Sequence, residues 1–187
     1  MKITKLFIAV LSLVISGRLL AADYQLDTVH TQILFSVNHL GFSTSTGSFV
    51  DFEGGFSFDE NAVESSSVYA EIQIGSIEFN DEVWNDTMLG KMWFDLSNFP
   101  TMTFKSTQVT STGEGTMLVI GDLTLKGITR PVTLDVILNK VGEQMGVPKA
   151  GFSATAIIDR TEFGMSTFAP MIGSEVKIII QVEGERR

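Results

Sequence analysis

The stretch Val132-Thr133-Leu134-Asp135-Val136-Ile137-Leu138-Asn139 repeats with a period of two. Successive side chains of an extended chain point to opposite faces, so Val132, Leu134, Val136 and Leu138 form one apolar face and Thr133, Asp135, Ile137 and Asn139 a mostly polar one. This is the pattern of a strand with one face buried and the other in water.

The same alternation recurs along the chain. It is read in Ile33, Phe35, Val37, His39; in Phe52, Phe56, Phe58; in Val68, Ala70, Ile72, Ile74; and in Met102, Phe104, Ser106. Three further runs are Met117, Val119, Gly121, Leu123, Leu125; Phe152, Ala154, Ala156, Ile158; and Val176, Ile178, Ile180, Val182. Eight strands result. Turn-like links such as Gly113-Glu114-Gly115 and Gly127-Ile128-Thr129-Arg130-Pro131 are short, which predicts antiparallel neighbours. One connection is long, and within it Trp84, Met88 and Met92 recur every four residues beside Leu89 and Trp93, predicting a short amphipathic helix from Trp84 to Phe94.

One small helix cannot cover the apolar faces of eight strands. Closing the sheet on itself covers those faces and removes the edges, and eight strands enclose just enough room for one small ligand. The fold class expected is therefore all-β, an elongated eight-stranded antiparallel barrel with one short helix, with a two-sheet sandwich as the alternative.

Composition agrees. The chain has 187 residues, 44% apolar and 19% charged, which fits one globular domain and excludes collagen, disorder and disulfide scaffolds. Lys2 and Lys5 precede an apolar run from Leu6 to Ile15, followed by small residues at Ala21 and Ala22. That is the layout of a secretory signal peptide over residues 1–22, leaving one domain over 23–187. The apolar run is too short to span a bilayer, so no stable membrane insertion is expected. Loss of Lys2, Lys5 and Arg18 takes the formal charge from −9 to −12. An acidic chain of this kind does not attract phosphate backbones, so no nucleic acid is expected as a partner. There is no cysteine, which in an oxidising compartment excludes disulfides, thiolate nucleophiles and cysteine-ligated metals.

Catalytic signatures are sparse. The two histidines, His30 and His39, have no partner at metal-ligand spacing, and Gly-x-Ser-x-Gly, His-Glu-x-x-His, Gly-x-Gly-x-x-Gly and phosphate-loop patterns do not occur. No metal, cofactor or enzymatic activity is expected. Asp27 beside His30 could orient a general base, but a turn that satisfies backbone groups accounts for both. His39 shares a face with Phe35 and Val37, as an interior residue or as a contact for a ligand's polar end. Asp159-Arg160 reads as an ion pair at the rim.

Alternate connections of an up-and-down barrel lie at one end. One end collects Leu40-Gly41-Phe42, the predicted helix, Gly127-Ile128-Thr129 and the segment Gly164 to Gly173, all rich in apolar side chains. The other collects Asp59 to Ser65, Gln108 to Gly115 and Lys140 to Lys149, which are largely polar. The apolar end has the character of a mouth for a lipid with the helix as lid, or of a hydrophobic plug. The candidate lipid-binding residues are Phe35, Val37, His39, Ala70, Ile72, Phe104, Val119, Val136, Ala154, Ala156 and Ile178 in the lumen. At the mouth they are Phe42, Trp84, Met88, Met92, Phe168 and Met171.

Five segments resemble the YceI-like family of bacterial periplasmic lipid-binding proteins. They are Asp27-Thr28-Val29-His30-Thr31 leading to Phe35 and His39; Gly47-Ser48-Phe49 with Gly54; and Asn98-Phe99-Pro100-Thr101-Met102-Thr103-Phe104. The most specific is Gly121-Asp122-Leu123-Thr124-Leu125-Lys126-Gly127-Ile128-Thr129-Arg130-Pro131-Val132, and the last is Ile158-Asp159-Arg160-Thr161-Glu162-Phe163-Gly164. The resemblance implies a lipocalin-like barrel in the periplasm whose apolar pore holds a long isoprenoid chain, head group near the opening. Many relatives carry an Arg-Asp and then a His before Leu in the helical segment, where this chain reads Asn85-Asp86-Thr87-Met88-Leu89, pointing to a more neutral head group. The leading expectation is a carrier of a polyisoprenoid or similar long-chain lipid. The alternatives are a lipid-modifying enzyme with His30 or His39 as base, and a structural or stress-related exported protein with a filled barrel. The oligomeric state is left open, a homodimer included.

Overall fold

The computed structural model describes residues 21–187. The leader expected over residues 1–22 lies outside the described residues except for its last two positions. Eleven strands are present: β1 (Ala22–Leu26), β2 (Gln32–His39), β3 (Ser43–Phe49), β4 (Phe52–Phe58), β5 (Ser67–Gln73), β6 (Ile77–Glu78), β7 (Thr101–Gly113), β8 (Thr116–Leu125), β9 (Ile128–Gln144), β10 (Val147–Asp159) and β11 (Ile172–Arg186). Helix α1 spans Glu82–Leu89.

All pairings are antiparallel and they close a barrel of eight strand positions. One edge of β11 is shared, with β2 along Val176–Gln181 and β1 along Gly184–Arg186, so β1 and β2 run end to end in one position. Likewise β3 pairs with β2 while β4 pairs with β1, and β6 pairs with β3 while β5 pairs with β4. Strands β7 to β11 fill one position each.

The expected count of eight therefore holds for positions, but the expected run of strands missed β1, β3 and β6. The physical reason is plain in β3, whose sequence Ser43-Thr44-Ser45-Thr46-Gly47-Ser48-Phe49 has one large apolar side chain and no alternation. Two segments expected as polar connections are instead mostly strand: β7 continues to Gly113, and β9 and β10 extend through much of 140–149. Two-residue turns at Leu40-Gly41, Lys126-Gly127 and Met145-Gly146 carry positive φ at both positions, the geometry whose twist matches a tight hairpin.

In β9 the alternation works as read. Val132, Leu134 and Val136 are buried, and Thr133, Asp135 and Ile137 are exposed. Inward rows of this kind from every wall form the core, each fully buried Val, Leu, Ile or Phe contributing about 1.5–3 kcal/mol. Gly121 in β8 admits the Phe104 ring, since a Cβ there would lie 2.4 Å from its edge.

Helix α1 starts where the Asp81 carboxylate accepts a hydrogen bond from the Trp84 backbone N–H at 2.8 Å, with Glu82 in the first turn. It stops at Gly90, shorter than expected. Met92, Trp93 and Phe94 lie beyond it in turns closed by Trp93 N–H to Gly90 C=O at 2.9 Å and Phe94 N–H to Met88 C=O at 3.0 Å. Among the described residues no helix is long and apolar enough to cross a membrane.

Candidate functional site

The inward faces enclose a cavity of about 480 Å³, within the range of small-molecule sites. It runs the length of the barrel, from Leu26, Ser57 and Ser66 at one end to His39, Trp84, Met92 and Phe168 at the other. Its wall is almost wholly apolar, and among the described residues Arg160 is the one permanently charged side chain on it. Met92 and Phe168 line the cavity and are also 61% and 54% exposed, so the cavity reaches solvent at this loop-rich end.

Of the residues expected to contact a lipid, Phe35, Val37, His39, Ala70, Ile72, Phe104, Val119, Val136, Ala154 and Ile178 lie on the cavity wall, as do Trp84, Met88, Met92 and Phe168. Three do not. Ala156 is buried in β10 without reaching the cavity surface, and Phe42 and Met171 stand outside it, 91% and 59% exposed. The last two sit on turns at the loop-rich end, where their side chains face water.

The mouth is built from aromatic contacts. Trp84 of α1 stacks on Phe79 with centroids 4.8 Å apart, Phe79 meets Phe35 edge-on at 5.3 Å, and His39 meets Trp84 at 5.9 Å. Asn85 adds a hydrogen bond accepted from the Phe79 backbone N–H at 2.8 Å, so α1 is latched onto β2 and β6. Such aromatic pairs contribute about 0.5–1.5 kcal/mol beyond their buried area.

Arg160 corrects the expected rim ion pair. Asp159 accepts from the Thr161 backbone N–H at 2.8 Å and from its hydroxyl at 2.6 Å. The Arg160 guanidinium turns inward, where it is 4% exposed, and donates to the backbone carbonyls of Gly173, Ile172 and Met165, with its face 5.3 Å from the Trp93 ring centroid. Burial pushes it below its ordinary pKa, against the pull of the Asp159 charge, yet arginine stays protonated. A cation thus sits on the wall of an apolar cavity near its mouth, with its hydrogen bonds made to backbone carbonyls.

The far end differs. Phe152 of β10 meets Phe56 and Phe58 of β4 edge-on at 5.2 and 5.1 Å. Strands β11 and β1 separate β4 from β10 around the wall, so these contacts cross the lumen and narrow it. Outside that floor Asp27 closes the turn between β1 and β2, its carboxylate accepting from the Val29 N–H at 3.0 Å and from His30 Nδ1 at 2.7 Å. Lys149 Nζ donates to Asp27 at 3.0 Å and also lies 3.5 Å from Glu183 and 3.1 Å from Glu185. Burial works against the charged form of Asp27, but these bonds outweigh it and hold its carboxyl well below the usual carboxylate range. Hydrogen bonds to Asp27 and then to Glu185 hold Lys149 above its ordinary value. His30 is exposed in this cluster and off the cavity wall, so the Asp27 and His30 pair is a turn fastening.

The sequence reading missed several wall residues. Phe49 and Leu26 belong to strands it did not find, and Val109 sits in β7 on a stretch it treated as polar connection, yet it is buried. The Val109 signal was there, since it continues the odd-and-even pattern after a shift at Ser106/Gln108 in the β7 to β8 pairing.

These features define a class of protein, a small closed β-barrel whose through-running apolar cavity opens among loops at one end. The chain belongs to the YceI-like domain family, whose model matches residues 24–184. It is 38% identical over 172 residues to a UPF0312 protein of Yersinia pestis (strain Pestoides F), covering 90% of this chain and 89% of that one. Burkholderia cenocepacia BcnA has a similar structure, with a TM-score of 0.79 and 25% identity over 84% of this chain and 98% of that one. A polyisoprenoid binding domain from Saccharophagus degradans shares the fold, with a TM-score of 0.66 and 16% identity over 89% and 99% of the two chains.

Proposed function

We propose that this protein binds one long-chain lipid, a polyisoprenoid or a chain like it, inside the barrel and carries it through the periplasm unchanged. The observation that carries the reading is the cavity itself, an apolar tube along the barrel axis with a single cation near its open end. Each buried methylene gains about 0.8 kcal/mol, so a long chain is held without any further charged contact, less the cost of ordering it. Arg160 draws the polar end of the cargo toward the mouth, a role at odds with the more neutral head group expected from the helical segment. The Saccharophagus degradans neighbour, named for polyisoprenoid binding, supports the same cargo class. Catalysis has less support, since His30 lies off the cavity and His39 packs against Trp84.

The test is to strip the protein of lipid and titrate it with a fluorescent isoprenoid alcohol. Saturation at one per chain, with the alcohol recovered at unchanged mass, is expected. No saturable binding contradicts the carrier, and a mass change that is lost in His39→Ala assigns an enzyme instead.

A further inference from the structure

Six exposed apolar side chains share the open end of the barrel: Leu40 and Phe42 between β2 and β3, Val83 on α1, Met92 after it, and Phe168 and Met171 between β10 and β11. Their exposures run from 46% at Leu40 to 91% at Phe42. The segments that bear them are tied together. Leu40 N–H donates to Met171 C=O at 3.1 Å, the Thr167 hydroxyl donates to Met92 C=O at 3.1 Å, and the Trp93 and Phe168 rings lie 6.4 Å apart. Elsewhere exposed apolar residues stand apart, as Ile157 does on the outer wall, or share one hairpin, as Met145 and Val147 do at the opposite end. Scattered side chains of that kind need no partner, whereas a joined apolar rim does.

We propose that this rim docks on the surface of a lipid bilayer. The rim and the cavity are one surface, because Met92 and Phe168 belong to both. The inference rests on the cavity holding a long-chain lipid, which has to leave one apolar phase and enter another. Each methylene that crosses open water disfavours the transfer about fourfold, and a rim seated in the head-group layer removes that gap. Charge at this end permits the approach. In residues 39–43, 81–95, 126–130 and 160–173 the bases Lys91, Lys126, Arg130 and Arg160 nearly balance Asp81, Glu82, Asp86, Asp95 and Glu162, while the whole chain carries −9. The bilayer contact is therefore apolar and insensitive to salt. A second copy seated on the same rim would instead cover the opening.

The experiment is flotation of the lipid-free protein with phosphatidylcholine vesicles that contain no isoprenoid. Wild type is expected to float with the vesicles at both low and high salt. Phe42→Asp and Met171→Asp, neither on the cavity wall, are expected to lower the bound fraction about tenfold or more each, while Met145→Asp at the other end changes nothing. Both positions are exposed, and circular dichroism of each variant confirms the fold. Isoprenoid binding measured without vesicles stays at the wild-type level in all three. Failure of wild type to float, while it still binds isoprenoid, overturns the docking surface and leaves the carrier standing. Flotation without isoprenoid binding supports the rim and removes the carrier. Equal losses in Met145→Asp and Phe42→Asp, or a dimer that Phe42→Asp dissociates in a protein that does not float, overturn the rim.

Discussion

The two ends of the barrel are held by different physics. At the far end every ion pair among the described residues gathers around Lys149 and Asp27, over a floor of three phenylalanine rings. At the open end the contacts are ring on ring, and the single buried cation meets carbonyl oxygens. Directional charge pairs fix one end of the tube, while the other opens to solvent among apolar side chains. Such a division suits a container with one fixed end and one that opens.

The largest effect is expected from the floor. Phe152→Ala removes a buried ring that touches two others, which costs about 3–5 kcal/mol in urea unfolding and opens the lumen at the far end. Asp27→Ala comes next, at about 2 kcal/mol, because it takes one of three carboxylates from Lys149, leaves His30 without its partner and unties the turn between β1 and β2. Its lipid occupancy stays at the wild-type level, whereas Phe79→Ala at the mouth removes the ring that packs on both Trp84 and Phe35 and raises the rate of isoprenoid exchange. A loss of occupancy in Asp27→Ala, or unchanged exchange in Phe79→Ala, breaks the contrast between the ends.

Acid sharpens it with a smaller effect. The folded Asp27 carboxyl titrates below its unfolded value of about 3.9, so its contribution to stability is fully present above that value and is lost as pH falls from about 4 toward 2. Wild type is expected to lose stability in that window more steeply than Asp27→Asn. Equal slopes would remove the ionic fastening from the account.

The lumen was legible because burial on one face leaves a mark on every second residue, as in Val132, Leu134 and Val136. The placement of apolar loops at one end followed from counting strands, and the count survived because each missed strand lies end to end with another. Arg160 was not legible. Its neighbour Asp159 offers an obvious partner in sequence, and only the fold brings the carbonyls of Met165, Ile172 and Gly173 around the guanidinium. Phe42 and Met171 sit at the expected end but off the cavity wall for a related reason, since apolar character says that a side chain prefers cover and does not say which surface supplies it. The end of α1 at Gly90 was hidden by Met92, whose spacing continues the helical period after the helix has stopped.

What decides between a carrier and a filled barrel is whether the lumen holds a chain where a solid core would otherwise be. Ala154 lies on the cavity wall, so Ala154→Trp fills empty space and spares packed neighbours. Native mass spectrometry of gently purified wild type and Ala154→Trp compares the two directly. One long-chain lipid per chain is expected in wild type and almost none in a variant whose circular dichroism is unchanged. Wild type without lipid, or a variant that unfolds because the space was already taken, would contradict it.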